Sequence, residues 1–460
     1  MQATYTFERG FPTTEAVQHA RDDQDLERAV TAYRFWYPTV SMEGVFNGNR
    51  ELGIRDNEQL VILACGPRHV VFTGNSDTPY GAGVVDLSGG PMVVDLPPGP
   101  FIAVANDHHQ RWILDMGLPG PDAGKGGKHL ILPPGYEGQP PGGYHVGRSA
   151  SVKIELAVRA MPVKGDVKGA LDALRTIKVY PLATAANPRV LGFLDVSDKA
   201  MDATLLRWED NVTYWEKLHA VIDAEPVMDE FRPMYGLLAT LGIEKGKPFA
   251  PDTARRRMLE QAARAGRDQM LVSAFASARP ERTVWPDRRW EWIGLIPDAG
   301  DFETPAGLDV EARDRWFAQA ILASPAMFRR QVGFGSLYWL GHRDKGGPFL
   351  DGGKTYRLNV PQPVPASLFW SVTAYDAATR SQVQTDQGRA ALRSLLEKMA
   401  PNPDRSVDLY FGPRAPTGKE GQWIKTTPGR GWFSYFRIYG PEAPAFDGSW
   451  RPADFEDVKT

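Results

Sequence analysis

The stretch Asn106-Asp107-His108-His109-Gln110-Arg111-Trp112, closed by Asp115, brings together side chains that can move protons and hold anions. If it continues the strand opened by Phe101, its side chains alternate between two faces. Ile102, Val104, His108, Trp112 and Leu114 then share the core side, and Asp107, His109, Arg111 and Asp115 share the other. A carboxylate, an imidazole and a guanidinium on one face could supply a proton-transfer pair and an anion clamp. The same residues could equally form an ion-pair ladder on an open sheet. Neighbouring strand residues point apart, which disfavours His108 and His109 as a joint metal pair. A divalent metal held through His109 or His108 stays open, and no other cofactor is expected. His129 and His145 would be possible third ligands, at spacings that diagnose nothing.

Two further groups carry polar chemistry. Gly74-Asn75-Ser76-Asp77-Thr78-Pro79-Tyr80-Gly81 is a polar knot between apolar runs. Asn75 and Asp77 can bond their own backbone and hold a tight turn. Read functionally, Asp77 is a base and Tyr80 a donor at a cleft mouth, with Asn75 touching the ligand. Nearer the C-terminus, Trp370 to Asp376 runs into Thr379-Arg380-Ser381. Asp376 and Arg380 would pair at a strand end or, with Tyr375 and Trp339, contact a ligand. Tyr338, Trp339 and Trp370 suit either a pocket wall or a core.

Several familiar chemistries lose their support. Gly120-Pro121-Asp122-Ala123-Gly124-Lys125 imitates a phosphate loop but has three residues between its glycines and Gly126 after the Lys, so it is a turn. No dinucleotide fingerprint, zinc-protease helix or nucleophile elbow is present. Cys65 is the only cysteine, which excludes an internal disulfide and a cysteine metal cage. It sits in an apolar run, where a buried inert thiol is expected. The formal charge of −3 gives no footprint for nucleic acid, and no basic segment suits an anionic membrane. Met1 to Tyr5 does not read as a signal peptide and no run is long enough to span a bilayer, so a cytoplasmic place is expected, or a periplasmic one if a leader was removed.

The elements that must position these residues come in three kinds of text. Leu26, Ala29, Val30, Tyr33, Trp36 and Tyr37 recur at helical spacing, with Pro38 expected to stop them. From Gln59 to Ile154, short β-branched and aromatic runs alternate with Gly and Pro turns, as in an antiparallel sandwich. Leu205, Trp208, Val212, Trp215, Leu218 and Ile222 then mark an amphipathic helix. A second follows Asp252 or Thr253 as cap, and a third runs from about Val310 to Leu322. Arg255, Arg256, Arg257, Arg264 and Arg267 in the second read as its solvated face. Leu337 to Trp450 is strand-and-turn text again. The expected organisation is a helical segment over 1–58, a β sandwich over 59–190, a helical region over 191–335 and a β domain over 336–460.

Three motifs, Asn75-Ser76-Asp77-Thr78-Pro79-Tyr80, Asp115 to Asp122 and Gly127 to Tyr136, resemble the N-terminal domain of unknown function 1254. Asp351-Gly352-Gly353-Lys354-Thr355-Tyr356, Phe369 to Thr373, Asp408 to Pro413 and Gly431-Trp432-Phe433 resemble its C-terminal companion, domain of unknown function 1214. The resemblance implies a mainly β fold: an N-terminal immunoglobulin-like sandwich, a helical insert and a C-terminal jelly roll. It assigns no catalytic residue. Relatives often have an aromatic where His108 or His109 stands, and many carry a signal peptide.

The expected function is an enzyme acting on a small polar or aromatic molecule by a hydrolytic or lyase-type reaction, without nicotinamide or flavin. Asp107 or His109 would move protons, Arg111 or Arg380 would hold an anionic group, and Asp77 with Tyr80 would complete the cleft. A non-catalytic small-molecule or carbohydrate binder and an oligomeric assembly protein are the alternatives. Expected partners are a small ligand and other copies of the chain, not nucleic acid or membrane.

Overall fold

A computed structural model describes residues 5–296, 302–333 and 335–458. It opens with a long helix, α1, over Thr14–Glu51, capped by Thr13 Oγ1 accepting from the amide of Ala16. The helix runs through Pro38 instead of stopping there. Proline removes one backbone bond and crowds the carbonyl a turn earlier. Tertiary contacts compensate here: Tyr214 Oη donates to the Tyr33 carbonyl at 2.7 Å, Arg313 donates to that of Phe35, and Phe35 to Met42 are all buried.

The N-terminal strands are β1 (Gln59–Leu63), β2 (Tyr80–Asp86), β3 (Met92–Leu96), β4 (Phe101–Asp107), β5 (Trp112–Gly117), β6 (Gly127–Leu132), β7 (His145–Arg148), β8 (Lys153–Ala160), β9 (Lys178–Pro181) and β10 (Gly192–Asp195). They form a six-stranded sheet in the order β10-β1-β2-β8-β4-β5 and a four-stranded sheet in the order β7-β6-β3-β9. Alternation along β8 explains how they pack. Ile154, Leu156, Val158 and Ala160 enter the core between the two sheets. Fully burying one large aliphatic side chain contributes about 1.5–3 kcal/mol. A slip of one residue would drive Glu155 and Arg159 into that core, so the register is fixed.

Within the N-terminal domain α2 (Val167–Leu174) packs Ala170 and Leu174 into the inter-sheet core, and between the sheet domains lie α3 (Thr213–Ala224), α4 (Arg232–Thr240), α5 (Thr253–Ala276) and α6 (Val310–Phe317). Asp252 caps α5 by accepting from the amide of Arg255 at 2.8 Å. Arg255, Arg256 and Arg267 spend their charge on Asp25, Glu216, Asp210 and Asp268 at the surface. The apolar face expected to begin at Leu205 starts later: Leu205 has φ 45°, and the helix begins at Thr213. The third helix ends at Phe317, short of Leu322. No described helix is long and apolar enough to cross a membrane.

The C-terminal strands are β11 (Glu291–Trp292), β12 (Ser336–Gly341), β13 (Tyr356–Val360), β14 (Ala366–Asp376), β15 (Ala391–Arg393), β16 (Val407–Gly412), β17 (Trp423–Lys425), β18 (Trp432–Pro441) and β19 (Glu456–Asp457). One sheet has the order β11-β12-β18-β14-β15, the other β17-β16-β13-β19. Trp339, Trp370, Val372, Phe436 and Ile438 fill the core between them. The first sheet thus takes β11 from the middle of the helical region, and β10 of the N-terminal sheet lies just past residue 190. The molecule is mainly β with a few helices.

Candidate functional site

Each of the two larger sheets has one face in its own core, so its other face carries the residues that alternation leaves over. On β8 those are Glu155, Ala157 and Arg159, paired in register with Val84, Ala82 and Tyr80 of β2. On β18 they are Tyr435, Arg437 and Tyr439, and on β14 Ser371, Thr373 and Tyr375. Both leftover faces are covered, and they border a shared chamber of about 430 Å³. Val45 and Asn49 of α1, with Trp316 and Leu322 of the helical region, complete its wall. Much of the lining is aliphatic, including Val61, Leu63, Ala82, Val104 and Ala157. Such a chamber is within the size range of small-molecule sites.

One end is cationic. Arg159 and Arg437 are 9% and 2% exposed, and neither makes an ion pair among the described residues. A guanidinium cannot shed its proton to escape burial and offers five N–H donors. Arg159 makes one long hydrogen bond, from Nη1 to Tyr439 Oη at 3.4 Å. Arg437 donates to Thr373 Oγ1 at 3.2 Å and to the Thr73 carbonyl at 2.9 Å, while its Nε has no acceptor. Aromatic rings supply part of what is missing. Arg159 lies 6.0 Å from the ring centre of Tyr80 and 5.7 Å from that of Tyr439. Arg437 lies 5.0 Å from Tyr435 and 5.5 Å from both Tyr338 and Tyr375. Cation–π contact is worth about 0.5–2 kcal/mol. That is well below the cost of burying an unpaired charge. Asp77 is linked to this end through Tyr439 Oη, which donates to its Oδ2 at 3.0 Å.

The other polar groups of the wall are acids and a thiol. Burial pushes the Asp115 carboxyl up to about 7, against the hydrogen bonds of Ser324, Ala326 and Trp112. Burial also drives Cys65 to about 12, with the charge of Asp77 adding to it. A thiol in that state is a poor nucleophile.

The residues singled out in the sequence fall into separate places. Asn75 and Tyr80 line the chamber, and Asp77 stands behind them, its Oδ2 also accepting from Ser371 Oγ at 2.8 Å. The turn reading of this knot holds too, since Asn75 Oδ1 accepts from the amide of Asp77. Tyr375 reaches the chamber through Arg437 and donates to the Thr73 and Gly74 carbonyls. Asp107, His109 and Arg111 do not reach it. The strand expected to continue past Asp107 ends there, and a tight turn follows with Gln110 at φ 60°. Asp107 Oδ1 caps that turn by accepting from the amides of His109 and Arg111. Its carboxyl is raised to about 6 by burial, against those same hydrogen bonds. His109 bonds Thr39 Oγ1 at 2.9 Å beside Trp36, and Arg111 pairs with Glu230 at 3.0 Å and with Glu303 at 3.6 Å.

The expected pairing of Asp376 with Arg380 is replaced by two other pairs. Asp376 holds Arg430, and Arg380 is buried against Glu209. Trp339 points into the C-terminal core. His108 is locked between Glu43 and Glu225 at 3.2 and 3.1 Å. Among the described residues no group of three or more His, Cys, Asp or Glu side chains is placed to hold a metal ion. Asp77, Asp107 and Asp376 therefore do not share one hollow. Sequence reasoning does not single out Arg159, Arg437 or Tyr435 as site residues. The one available signal was an arginine inside the otherwise uncharged aromatic strand Trp432–Pro441.

Family models described as proteins of unknown function match this chain, DUF1254 over residues 59–181 and DUF1214 over 335–443. No curated protein matches it. Among solved structures, the VPA0106 protein from Vibrio parahaemolyticus aligns over 95% of this chain and 100% of its own, with 19% identity and a TM-score of 0.57, a likeness of fold. An uncharacterized protein from Burkholderia cenocepacia aligns over 97% of each chain with 14% identity and a TM-score of 0.42.

Proposed function

The chain belongs to the two-domain family that pairs DUF1254 with DUF1214, and from that premise we propose that it binds a small aliphatic organic acid inside the chamber between its sheets. The carboxylate sits on Arg159 and Arg437, and the apolar body lies along Val61, Ala82, Val104 and Ala157. The observation that carries this reading is the pair of buried guanidiniums, unpaired by any carboxylate and opening onto a largely apolar chamber. An anion there replaces lost hydration with charge-assisted hydrogen bonds, each worth about 1.5–3 kcal/mol. Decanoate and the uncharged decanol test it by calorimetric titration. Decanoate is expected to bind saturably and decanol at least ten-fold more weakly. Equal affinities would remove the cationic end from the account.

A hydrolytic or lyase-type step on that acid is the second reading. Asp115 favours it, because a chamber carboxyl that titrates near 7 suits proton transfer at neutral pH. Its test is product formation by the wild type and its loss in Asp115→Asn. For the architecture, we read the N-terminal pair of sheets as an immunoglobulin-like sandwich and the C-terminal pair as a jelly roll. The family resemblance and the two inter-sheet cores support that reading.

A further inference from the structure

The chamber has a second polar pole, remote from the arginines. Glu155 precedes Arg159 by four residues on the same strand face, which sets their Cα atoms roughly 13 Å apart. Its register partner Val84 packs with Val45 and Phe46, so Glu155 lies on the side of the chamber walled by α1. Asn49, one turn beyond Val45, opens onto the same space. Glu155 is 3% exposed and Asn49 1%. Glu155 Oε2 and both polar side-chain atoms of Asn49 have no hydrogen-bond partner among the described residues. Each such buried atom costs about 1–3 kcal/mol while it stays unpaired. Both residues line the chamber, so a ligand end that reaches these three atoms would relieve that cost.

Resting on the organic-acid reading, we propose that Glu155 and Asn49 form a second subsite that takes an oxygen-bearing far end of the same molecule. The ligand is then an aliphatic acid with a hydroxyl or carbonyl oxygen at the end opposite its carboxylate. A plain hydrocarbon tail would leave the three polar atoms unpaired. A second carboxylate would add its charge to the field of Asp56, which itself pairs with Arg50 and Lys153. Burial and that field together raise the Glu155 carboxyl to about 8, so at neutral pH it carries a proton and donates it in a hydrogen bond to the ligand oxygen. Asn49 Nδ2 offers another donor, and its Oδ1 accepts from a ligand hydroxyl.

The experiment is calorimetric titration of the full chain with decanoate, omega-hydroxydecanoate, 9-oxodecanoate and omega-aminodecanoate, using wild type, Glu155→Gln and Glu155→Leu. The wild type is expected to bind the hydroxy acid about ten-fold more tightly than decanoate at neutral pH. Glu155→Gln keeps a donor and most of that preference. Glu155→Leu erases it, the hydroxy acid falling to the affinity of decanoate. With 9-oxodecanoate, whose far oxygen can only accept, the preference over decanoate fades above about pH 8 in the wild type and persists in Glu155→Gln, a signature that a merely structural glutamate would not give. Should Glu155→Leu fail to fold, the pH profiles of the other two proteins decide the matter. Equal affinity for the hydroxy acid and decanoate, a preference that survives Glu155→Leu, or tightest binding of the amino acid would overturn the subsite. In each of those cases decanoate binding itself leaves the organic-acid reading standing. Failure of every probe to bind would bring down both.

Discussion

Glu155 and Cys65 make opposite demands on the surrounding protein, and both can be checked without a ligand. A Glu whose folded pKa is raised holds its proton after the unfolded chain has released it. Stability therefore falls as pH rises from the ordinary Glu value toward about 8. Urea unfolding is expected to show the wild type losing stability relative to Glu155→Gln between about pH 5 and pH 8, by a few kcal/mol at most. A constant difference across that range would mean that Glu155 is ionised in the fold. Cys65 is pushed to about 12 by burial and by Asp77, so the native thiol should resist iodoacetamide at neutral pH and react only after unfolding. Rapid native alkylation would contradict its placement.

These residues show why the site was hard to find from the sequence. Ile154-Glu155-Leu156-Ala157-Val158-Arg159 has the alternation of a strand with one wet face. Nothing local says that the second face is roofed by another domain. The Asn75–Tyr80 knot was legible because tight turns write their chemistry in consecutive residues.

At the scale of elements, the turn between β4 and β5 is held by a buried ionic clamp. His108 lies between Glu43 of α1 and Glu225 just after α3. Burial opposes its charge, but the two carboxylates outweigh that and raise its pKa. A raised His pKa contributes stability that is complete below about 6.5 and is lost as pH climbs through the folded value. His108→Gln leaves two carboxylates without their cation, which costs about 3–5 kcal/mol for a buried pair. The urea midpoint of that variant should drop at pH 6 and drop less at pH 9. An unchanged midpoint at pH 6 would show that His108 is neutral. Element types were largely legible, from the Asp252 cap of α5 to the aromatic strand β18. Boundaries failed where tertiary contacts overrode local signals, as at Pro38, or where a strand turned sooner than its alternation implied, as at Asp107.

At the scale of the molecule, the C-terminal β domain grips one segment of the N-terminal domain. Thr73 and Gly74 accept from Tyr375 and Arg437, Asp77 from Ser371 and Tyr439, and Ser76 from Arg393. With this much polar bonding sealed at the junction, the domains are expected to unfold in a single calorimetric transition. Two resolved transitions would show that the chamber walls part before the cores melt. The resemblance motifs marked both domains in the sequence, but a chamber made from the outer face of each exists only once they meet.

The central claim is tested most directly by titrating decanoate into the wild type, Arg159→Gln, Arg437→Gln and Arg111→Gln. Losing one charge-assisted contact should weaken binding about ten-fold or more in the first two variants, while Arg111→Gln, altered at a surface ion pair, should match the wild type. Wild-type affinity in both chamber variants would contradict the account.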